Sequence, residues 1–344
     1  MARMRALFAV VVSLVGTATA MGQLPARLER IVEGHRIPHQ SVSVVVREIG
    51  GHEPVLAHLP DVPRNPASTI KLLTSWVALE VLGPTYTWPT EVYFVGDWNG
   101  RRLNGDLAIK GYGDPYLVTE EFWKLLGALR RTGLEEINGD LVIDDSFFDA
   151  PDGHPGDFDG QPYRTYNVPP AALLVNYKAV RFQFGADPNG RDVLISADPL
   201  PENLNIVNQL RLVEGPCRGY QAGISFDVRD PDTLGTVVFS GSFPRACAPY
   251  SLSRSVLQHD TFALGVFSTL WRGLGGSHRG AVRRAAVAED AEPALIWRSR
   301  PLGEVIRSIN KFSNNVMTRQ LLFTLGAEGS GEPGTRQGGA AVIR

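Results

Sequence analysis

The order of apolar and polar positions predicts two strands followed by a long helix near the start of the chain. Residues 41–47 alternate as a strand does, a turn at Gly50-Gly51 follows, and a second strand at 54–58 would complete a hairpin. Residues 67–82 then have the pattern of a helix that ends at Gly83-Pro84. Apolar side chains go nearly all the way round this helix, so we expect it to be buried on most faces. This order indicates an α/β (α+β) core with a mainly antiparallel sheet.

The middle of the chain, residues 93–259, has the pattern of a β-rich insert. Short apolar segments are separated by turn signals, including Asn-Gly pairs that begin at Asn99, Asn104 and Asn138. The segments predict strands at 90–95, 103–110 and 137–144, a helix at 119–132, and further short strands from 172 to 254. We therefore expect a core built from 21–92 and 260–344, with one or more inserted domains at 93–259.

The last third of the chain predicts mainly helices. A helix at 261–274 and short strands at 283–287 and 294–298 come first. Apolar residues then repeat at helical spacing from 302 to 309, and a second helix runs from 316 to 325, where Gly326 closes it. The sequence Ser313-Asn314-Asn315 lies in the tight turn between these two helices.

The first 20 residues have the layout of a secretory signal peptide. A basic run at 1–5 precedes an apolar stretch at 6–15 and the small-residue site Ala18-Thr19-Ala20, and the stretch is too short to span a bilayer. The chain of 344 residues has a formal net charge of −2, no other membrane-length apolar run, and no basic patch suited to a nucleic-acid backbone. We expect an exported, periplasmic protein without a transmembrane anchor and without nucleic acid as a partner.

The cysteines predict a disulfide, and the histidines do not suggest a metal site. Cys217 and Cys247 are the whole cysteine supply, and in an oxidising compartment such a pair is expected to form a disulfide. The seven histidines show no metal-ligand spacing, and a proline between His35 and His39 spoils a shared helical face. We expect neither a metal nor another cofactor.

Ser68 and Lys71 suggest chemistry at the start of the predicted helix. Residues three apart share a helix face, so the Lys71 amine should lie beside the Ser68 hydroxyl. Burial and the positive end of the helix dipole both favour the neutral amine, which is a general base beside a nucleophile. The motif is weak by itself, because the spacing recurs at Ser308 and Lys311, where the lysine is expected to be solvated.

Ser313 and Asn315 allow two interpretations. In a turn between helices, both side chains can point into a cleft and contact a substrate. Serine and asparagine are also preferred helix N-caps, and the turn considered alone favours that structural role.

Considered together, a Ser-x-x-Lys that opens a helix and a Ser-x-Asn between helices are two of the three motifs shared by penicillin-binding proteins and serine β-lactamases. The similarity runs from about Leu24 to the end of the chain. It is carried by the segments 65–71, 113–115, 138–144, 169–172 and 301–326. In these segments the chain resembles the low-molecular-mass D-alanyl-D-alanine carboxypeptidase/endopeptidase family, the penicillin-binding protein 4 type. The resemblance implies a penicillin-binding/β-lactamase-like core with extra domains between the first and second motifs.

The resemblance also implies a role for each motif residue. Ser68 would attack the carbonyl between the two terminal D-alanines of a peptidoglycan stem peptide and form an acyl-enzyme, while Lys71 takes its proton. Ser313 would relay a proton to the leaving amine, and Asn315 would hydrogen-bond the substrate amide. The backbone N–H of Ser68 would be one oxyanion donor. The implied partners are peptides ending in D-Ala-D-Ala, D-alanine cross-links and β-lactam antibiotics.

The third motif of the family, Lys-Thr-Gly, is absent. None of the five lysines precedes Thr-Gly, and residues 340–344 have the pattern of the first turn of a helix, so we expect a C-terminally truncated family member. Such a chain alone would be poorly soluble and nearly inactive, unless another basic residue, Arg319 or Arg336 first, contacts the substrate carboxylate.

Two other classes of function fit parts of the sequence. A serine β-lactamase or esterase shares the acyl-transfer chemistry, but the large insert and the lack of a Gly-x-Ser-x-Gly elbow disfavour it. A non-catalytic module that binds cell-wall peptide would be consistent with the missing Lys-Thr-Gly.

Overall fold

The computed structural model describes residues 24–150, 154–188, 190–217 and 223–344, and the predicted signal peptide lies outside them. The chain divides into two units, Met1–Ala67 and Ser68–Arg344. Within the described ranges, no helix is long and apolar enough to cross a bilayer.

The first unit contains a short helix and a hairpin. Helix α1 (Ala26–Gly34) precedes β1 (Val44–Arg47), which pairs antiparallel with β2 (Pro54–His58). The Arg64 Nε donates to Ser43 Oγ at 3.0 Å, next to the start of β1. The hairpin predicted from the alternating pattern is therefore confirmed.

The helices of the second unit lie near its start, middle and end. They are α2 (Ile70–Leu82), α3 (Thr119–Arg131), α4 (His259–Gly273), α5 (Leu302–Phe312), α6 (Asn315–Ser330) and α7 (Arg336–Ile343). Helix α2 packs against α5, α6 and α7. Trp88, Leu302 and Leu321 are fully buried in the core that these helices share. The helices that carry the predicted motifs thus form one layer.

Strands fill most of the sequence between α2 and α5. They are β3 (Pro89–Trp98), β4 (Arg102–Gly111), β5 (Glu136–Ile137), β6 (Leu141–Asp144), β7 (Val180–Ala186), β8 (Val193–Asp198), β9 (Leu204–Val213), β10 (Ile224–Arg229), β11 (Gly235–Pro244), β12 (Tyr250–Arg254), β13 (Ser277–His278), β14 (Val282–Arg284) and β15 (Leu295–Arg298). Together with the helices they confirm the predicted α/β (α+β) class.

The largest sheet has seven strands. The hairpin β3–β4 is antiparallel, β4 pairs in parallel with β5 and β6, and β15 pairs antiparallel with the other edge of β3. Leu107, Ile109 and Ile143 point from this sheet into the main core and are fully buried. The sheet therefore supplies one wall of the main core.

Two three-stranded sheets complete the β-rich part, in the strand orders β12-β7-β8 and β10-β11-β9. Their shared core is aromatic, with the Phe184 and Phe239 rings 5.1 Å apart at 85°. Cys217 and Cys247 form a disulfide with a Cα–Cα distance of 4.9 Å. The predicted pairing of the two cysteines is confirmed.

Two glycines that predicted chain breaks instead mark close backbone contacts. Gly105 lies inside β4 opposite Gly96, where an added Cβ would come within 2.1 Å of the Val95 carbonyl oxygen. Gly326 lies inside α6, where an added Cβ would meet the Gly339 N at 2.8 Å. The predicted turn at Asn104-Gly105 and the predicted helix end at Gly326 are therefore wrong, because each glycine provides room for a neighbouring element.

The prediction that the helix after Ser68 is buried on most faces is also wrong. The buried residues of α2 are Lys71, Thr74, Ser75 and Ala78, and they face the helix layer. Its large apolar side chains include several that are exposed: Ile70, Leu72, Leu73, Trp76 and Val81. The buried face is mainly polar because it carries the side chains that hydrogen-bond toward Ser68 and α5.

The strand pairing continues the large sheet beyond the domain boundary expected at residue 259. The strands β13, β14 and β15 follow that boundary, yet they pair with β5, β6 and β3. Helix α4 also packs against β13 and β14. The division into 21–92 with 260–344 as core and 93–259 as insert stays a prediction, with residues 277–298 contributing to the sheet of the insert.

Candidate active site

Ser68 lies in a tight turn at the start of α2. A 3-10 turn at Ala67–Thr69 leads directly into the helix, and the Asn65 Oδ1 accepts a hydrogen bond from the Ala67 N–H at 2.9 Å. Ala67 has a positive φ of 44°, which turns the chain sharply before the serine. The Ser68 residue is exposed, so its hydroxyl is accessible to a reactant.

Lys71 lies one turn later, on the buried face of α2. The residue is 6% exposed, and its Nζ donates a hydrogen bond to Ser68 Oγ at 3.2 Å. Burial, followed by the positive charge of Arg319, holds the pKa of the Lys71 amine below its ordinary value. The predicted adjacency of hydroxyl and amine is therefore present, and the amine is shifted toward the form that accepts a proton.

A further polar contact fixes α2 one turn beyond Lys71. The Ser75 Oγ donates to Asn310 Oδ1 on α5 at 3.2 Å, and Ser75 is buried. This hydrogen bond joins the helix that follows Ser68 to the helix that leads to Ser313.

Ser313 and Asn315 lie at the junction of α5 and α6. Ser313 ends α5 in the left-handed conformation, with φ 52° and ψ 41°. Asn314, between them, is the N-cap of α6, because its Oδ1 accepts from the N–H of Val316 at 2.9 Å and of Met317 at 3.1 Å. The capping role thus belongs to Asn314, and the Ser313 and Asn315 side chains have no hydrogen bond within the described ranges.

The structure brings the two motifs onto neighbouring elements. Helices α5 and α6, which flank the Ser313–Asn315 junction, both pack against α2. Among the described residues, no hydrogen bond joins Ser313 or Asn315 to Ser68 or Lys71. The second Ser-x-x-Lys lies within α5, and Lys311 is exposed as expected.

Arg319 is a charged neighbour of this site that the motifs did not include. It follows Asn315 by one helical turn, and its Nη1 donates to the carbonyl oxygens of Tyr166 at 2.7 Å and Val168 at 3.1 Å. Burial and the charge of Arg336 lower the pKa of its guanidinium. The sequence signal for Arg319 is its spacing of four residues from Asn315, which places both residues on the same face of α6.

One group of potential metal ligands occurs in the described part of the first unit. It consists of Glu29, Glu33 and His39, all near the surface, with His39 nitrogens 3.8 and 3.6 Å from the two carboxylates. Exposed acidic groups of this kind are common, and we assign no metal to them.

Comparison with curated proteins agrees with the resemblance found in the sequence. A D-alanyl-D-alanine carboxypeptidase of Actinomadura sp. is 29% identical over 275 residues, which cover 77% of this chain and 50% of that protein. The D-alanyl-D-alanine carboxypeptidase DacB of Haemophilus influenzae is 24% identical over 278 residues, which cover 81% of this chain and 57% of that protein. The chain spans about half the length of these curated relatives.

Solved structures show the same relationship. Penicillin-binding protein 4 (dacB) from H. influenzae superposes with a TM-score of 0.71 at 25% identity, covering 88% of this chain and 66% of that chain. The same protein complexed with a novel β-lactam gives a TM-score of 0.60 at 25% identity, covering 81% of this chain and 59% of that chain. The family model for the D-Ala-D-Ala carboxypeptidase 3 (S13) family matches residues 24–344. Since that match extends over nearly the whole chain, this protein belongs to the D-Ala-D-Ala carboxypeptidase 3 (S13) family.

Proposed function

We propose that this protein is a serine D-alanyl-D-alanine carboxypeptidase and DD-endopeptidase that acts on peptidoglycan through an acyl-enzyme. The observation that carries the proposal is the hydrogen bond between Lys71 Nζ and Ser68 Oγ at the start of α2. Membership of the S13 family and the two curated carboxypeptidases support the same reaction.

The first half of the reaction forms an ester on Ser68. Its Oγ attacks the carbonyl carbon between the two terminal D-alanines while the neutral Lys71 amine takes the hydroxyl proton. Ser313 relays a proton to the departing D-alanine nitrogen. The C–N bond then breaks, and the acyl group stays on Ser68 as an ester. Asn315 hydrogen-bonds the peptide amide, and the Ser68 N–H donates to the developing oxyanion.

The second half hydrolyses the ester. Water attacks the acyl carbon, and Lys71 acts again as the base, which returns Ser68 to its free form. A D-alanine cross-link presents the same type of carbonyl, so the endopeptidase reaction uses the same residues. A β-lactam opens on Ser68 in the same way, and the solved β-lactam complex of the H. influenzae relative supports this partner.

The proposed site of action is the periplasm. The substrate is a component of the cell wall, and residues 1–20 have the layout of a leader that directs export.

Labelling with a fluorescent penicillin tests the proposal. In any active form of the protein we expect one covalent adduct, which peptide mapping by mass spectrometry assigns to Ser68, and we expect Ser68→Ala to abolish it. Ser308→Ala is the matched control, because Ser308 starts the second Ser-x-x-Lys, and it should label normally. An adduct on Ser308 or Ser313 would overturn the assignment.

Two further measurements separate the competing functions. Fast, continuous turnover of a chromogenic cephalosporin would indicate a β-lactamase. Muropeptide binding that survives Ser68→Ala in a protein that penicillin never labels would indicate a non-catalytic peptide-binding module.

A further inference from the structure

The second unit contains a cavity of about 680 Å³ beside the end of β6 and the start of α4. Its apolar wall is formed by Phe148, Val168, Pro169, Pro170, Ala171 and Ala172. The basic side chains of its polar wall include Lys178, His259 and Arg284. None of the four proposed catalytic side chains lines it, so the proposed function leaves this cavity without a role.

Lys178 is the most deeply buried cation of the cavity. The residue is 8% exposed, and burial lowers the pKa of its amine to about 8, with Asp260 opposing and Arg284 assisting the shift. Among the described residues, its ammonium has neither a hydrogen bond nor an ion pair. A buried charge without a partner is unfavourable, and a ligand that supplies an acceptor would remove that cost.

The backbone around Lys178 is strained. Asn176, Tyr177 and Lys178 have successive positive φ values of 44°, 54° and 52°, which residues other than glycine seldom adopt. Asn176 holds the segment in place, because its N–H donates to the Leu117 carbonyl at 2.8 Å and its Nδ2 to the Ala179 carbonyl at 2.9 Å. Strain of this kind is concentrated at functional sites.

The neighbouring charges select the kind of acceptor. The other basic groups of the lining each lie near a carboxylate: His154 Nδ1 is 3.9 Å from Asp157 Oδ1, His259 Nε2 is 3.4 Å from Asp145 Oδ2, and Arg284 Nε is 3.6 Å from Asp260 Oδ2. Among the described residues, Lys178 has no carboxylate at ion-pair distance. The three carboxylates of the lining, Asp145, Asp232 and Asp260, would repel a doubly charged phosphate more strongly than a singly charged carboxylate.

We propose that this cavity binds a small ligand with a single carboxylate, which pairs with the Lys178 ammonium. Arg284 lies beside the carboxylate, and the apolar part of the ligand lies against Phe148, Pro169 and Pro170. A free amino acid and the C-terminus of a peptide both supply this chemistry. The inference does not depend on Ser68. It can therefore fail while the proposed function holds, and the proposed function can fail while the cavity still binds a carboxylate.

Calorimetric titration of the protein with N-acetylalanine tests the cavity. We expect binding that weakens at least about tenfold when Lys178→Met removes the charge, and that is unchanged in Lys124→Met, a matched change at an exposed lysine outside the cavity. N-acetylalanine amide and inorganic phosphate should bind more weakly than N-acetylalanine. Equal affinities of wild type and Lys178→Met, or a preference for the amide or for phosphate, would overturn the proposal.

Free alanine distinguishes the two sources. Tighter binding of alanine than of N-acetylalanine supports a carboxylate site for free amino acids, and the reverse order supports one for peptide ends.

A measurement on the unaltered protein covers the case in which Lys178→Met does not fold. Acetylation by a succinimidyl ester at pH 8, followed by mass spectrometry, reports the reactivity of each lysine. N-acetylalanine should slow the modification of Lys178 and leave Lys124 unaffected. Equal rates at Lys178 with and without N-acetylalanine would count against the site.

Discussion

At the scale of single residues, the protonation state of Lys71 is the property most open to measurement. Arg319→Met removes a nearby positive charge, so the pKa of Lys71 should rise, whereas Arg319→Lys keeps the charge and should leave it nearly unchanged. The chain has five lysines, so ¹³C NMR titration of their Cε atoms can follow Lys71 individually.

The same change should alter the pH dependence of acylation. A higher pKa leaves less neutral amine at pH 7, so penicillin acylation of Arg319→Met should slow near neutral pH and recover at higher pH. A Lys71 titration that is the same in wild type and Arg319→Met would contradict the electrostatic role of Arg319.

Asp114 gives a second residue-scale prediction. It is 4% exposed, and burial raises the pKa of its carboxyl to about 7, although Oδ1 accepts a hydrogen bond from the Tyr116 N–H at 2.7 Å. The folded pKa lies above the ordinary value of 3.8, so the carboxyl stabilises the fold at low pH. That contribution is lost as the pH rises from about 4 through 7.

Asp114→Asn is neutral at every pH and keeps an oxygen acceptor. It should therefore raise the Tm at pH 8 and have little effect at pH 4, as measured by thermal unfolding at both values. Asp97→Asn, at an exposed position in β3, is the control and should show no such pH dependence. A uniform Tm change for Asp114→Asn would contradict the assigned pKa.

The residue-scale predictions from sequence succeeded where the partners are close in the chain. Ser68 lies in the 3-10 turn that leads into α2, three residues before Lys71, so their hydrogen bond follows from local helical geometry. The influence of Arg319 on Lys71 arises from the packing of α2 against α6. No local pattern shows which side chains meet across two helices that are roughly 250 residues apart in sequence.

At the scale of elements, the start of α6 places a capping asparagine beside the asparagine that we propose to bind substrate. Asn314→Ala removes the N-cap and should lower the free energy of unfolding by about 1 kcal/mol. Asn315→Ala is the matched neighbour and should leave stability nearly unchanged while it weakens penicillin acylation. Urea unfolding and labelling rates check the pair, and a loss of stability in Asn315→Ala equal to that in Asn314→Ala would favour a structural role for both.

The bounds of one long helix were predictable from its apolar periodicity. The helix at 119–132 was predicted correctly, and the structure has α3 at Thr119–Arg131. Gly105 and Gly326 misled the sequence reasoning because a glycine at a backbone contact has the same local signature as a glycine in a turn. The buried face of α2 could not be identified either. Apolar residues lie all round this helix, so the sequence does not show which side packs against the other helices.

At the scale of the whole molecule, the disulfide joins the segments that follow the paired strands β9 and β11. Cys217 and Cys247 are 30 residues apart, and closing such a loop is worth roughly 3 to 4 kcal/mol in the chain-entropy model. The double variant Cys217→Ala/Cys247→Ala should therefore unfold at a lower urea concentration. Thiol titration of the native, non-reduced protein should find no free thiol, and two reactive thiols would refute the bridge in solution.

The class of the fold was predictable at this scale, but the closure of the large sheet was not. Strand and helix periodicities give the α/β (α+β) class, and the family resemblance gives the order of the motifs. The pairing of β13, β14 and β15 with strands from the middle of the chain depends on partners more than 100 residues away. Short strands of two to four residues carry too little pattern to specify such partners.

The pairing of β15 with β3 also sets the order in which the molecule can fold. The β3–β4 hairpin needs only neighbouring residues, whereas Leu295 meets Val92 across roughly 200 residues of chain. Closing so long a loop is slow relative to forming local contacts. Until residues 295–298 arrive, one edge of β3 presents unpaired backbone groups that can join another chain. Aggregation during synthesis or export should therefore be most severe before this strand is available, and a chaperone that covers the β3 edge would act in that interval.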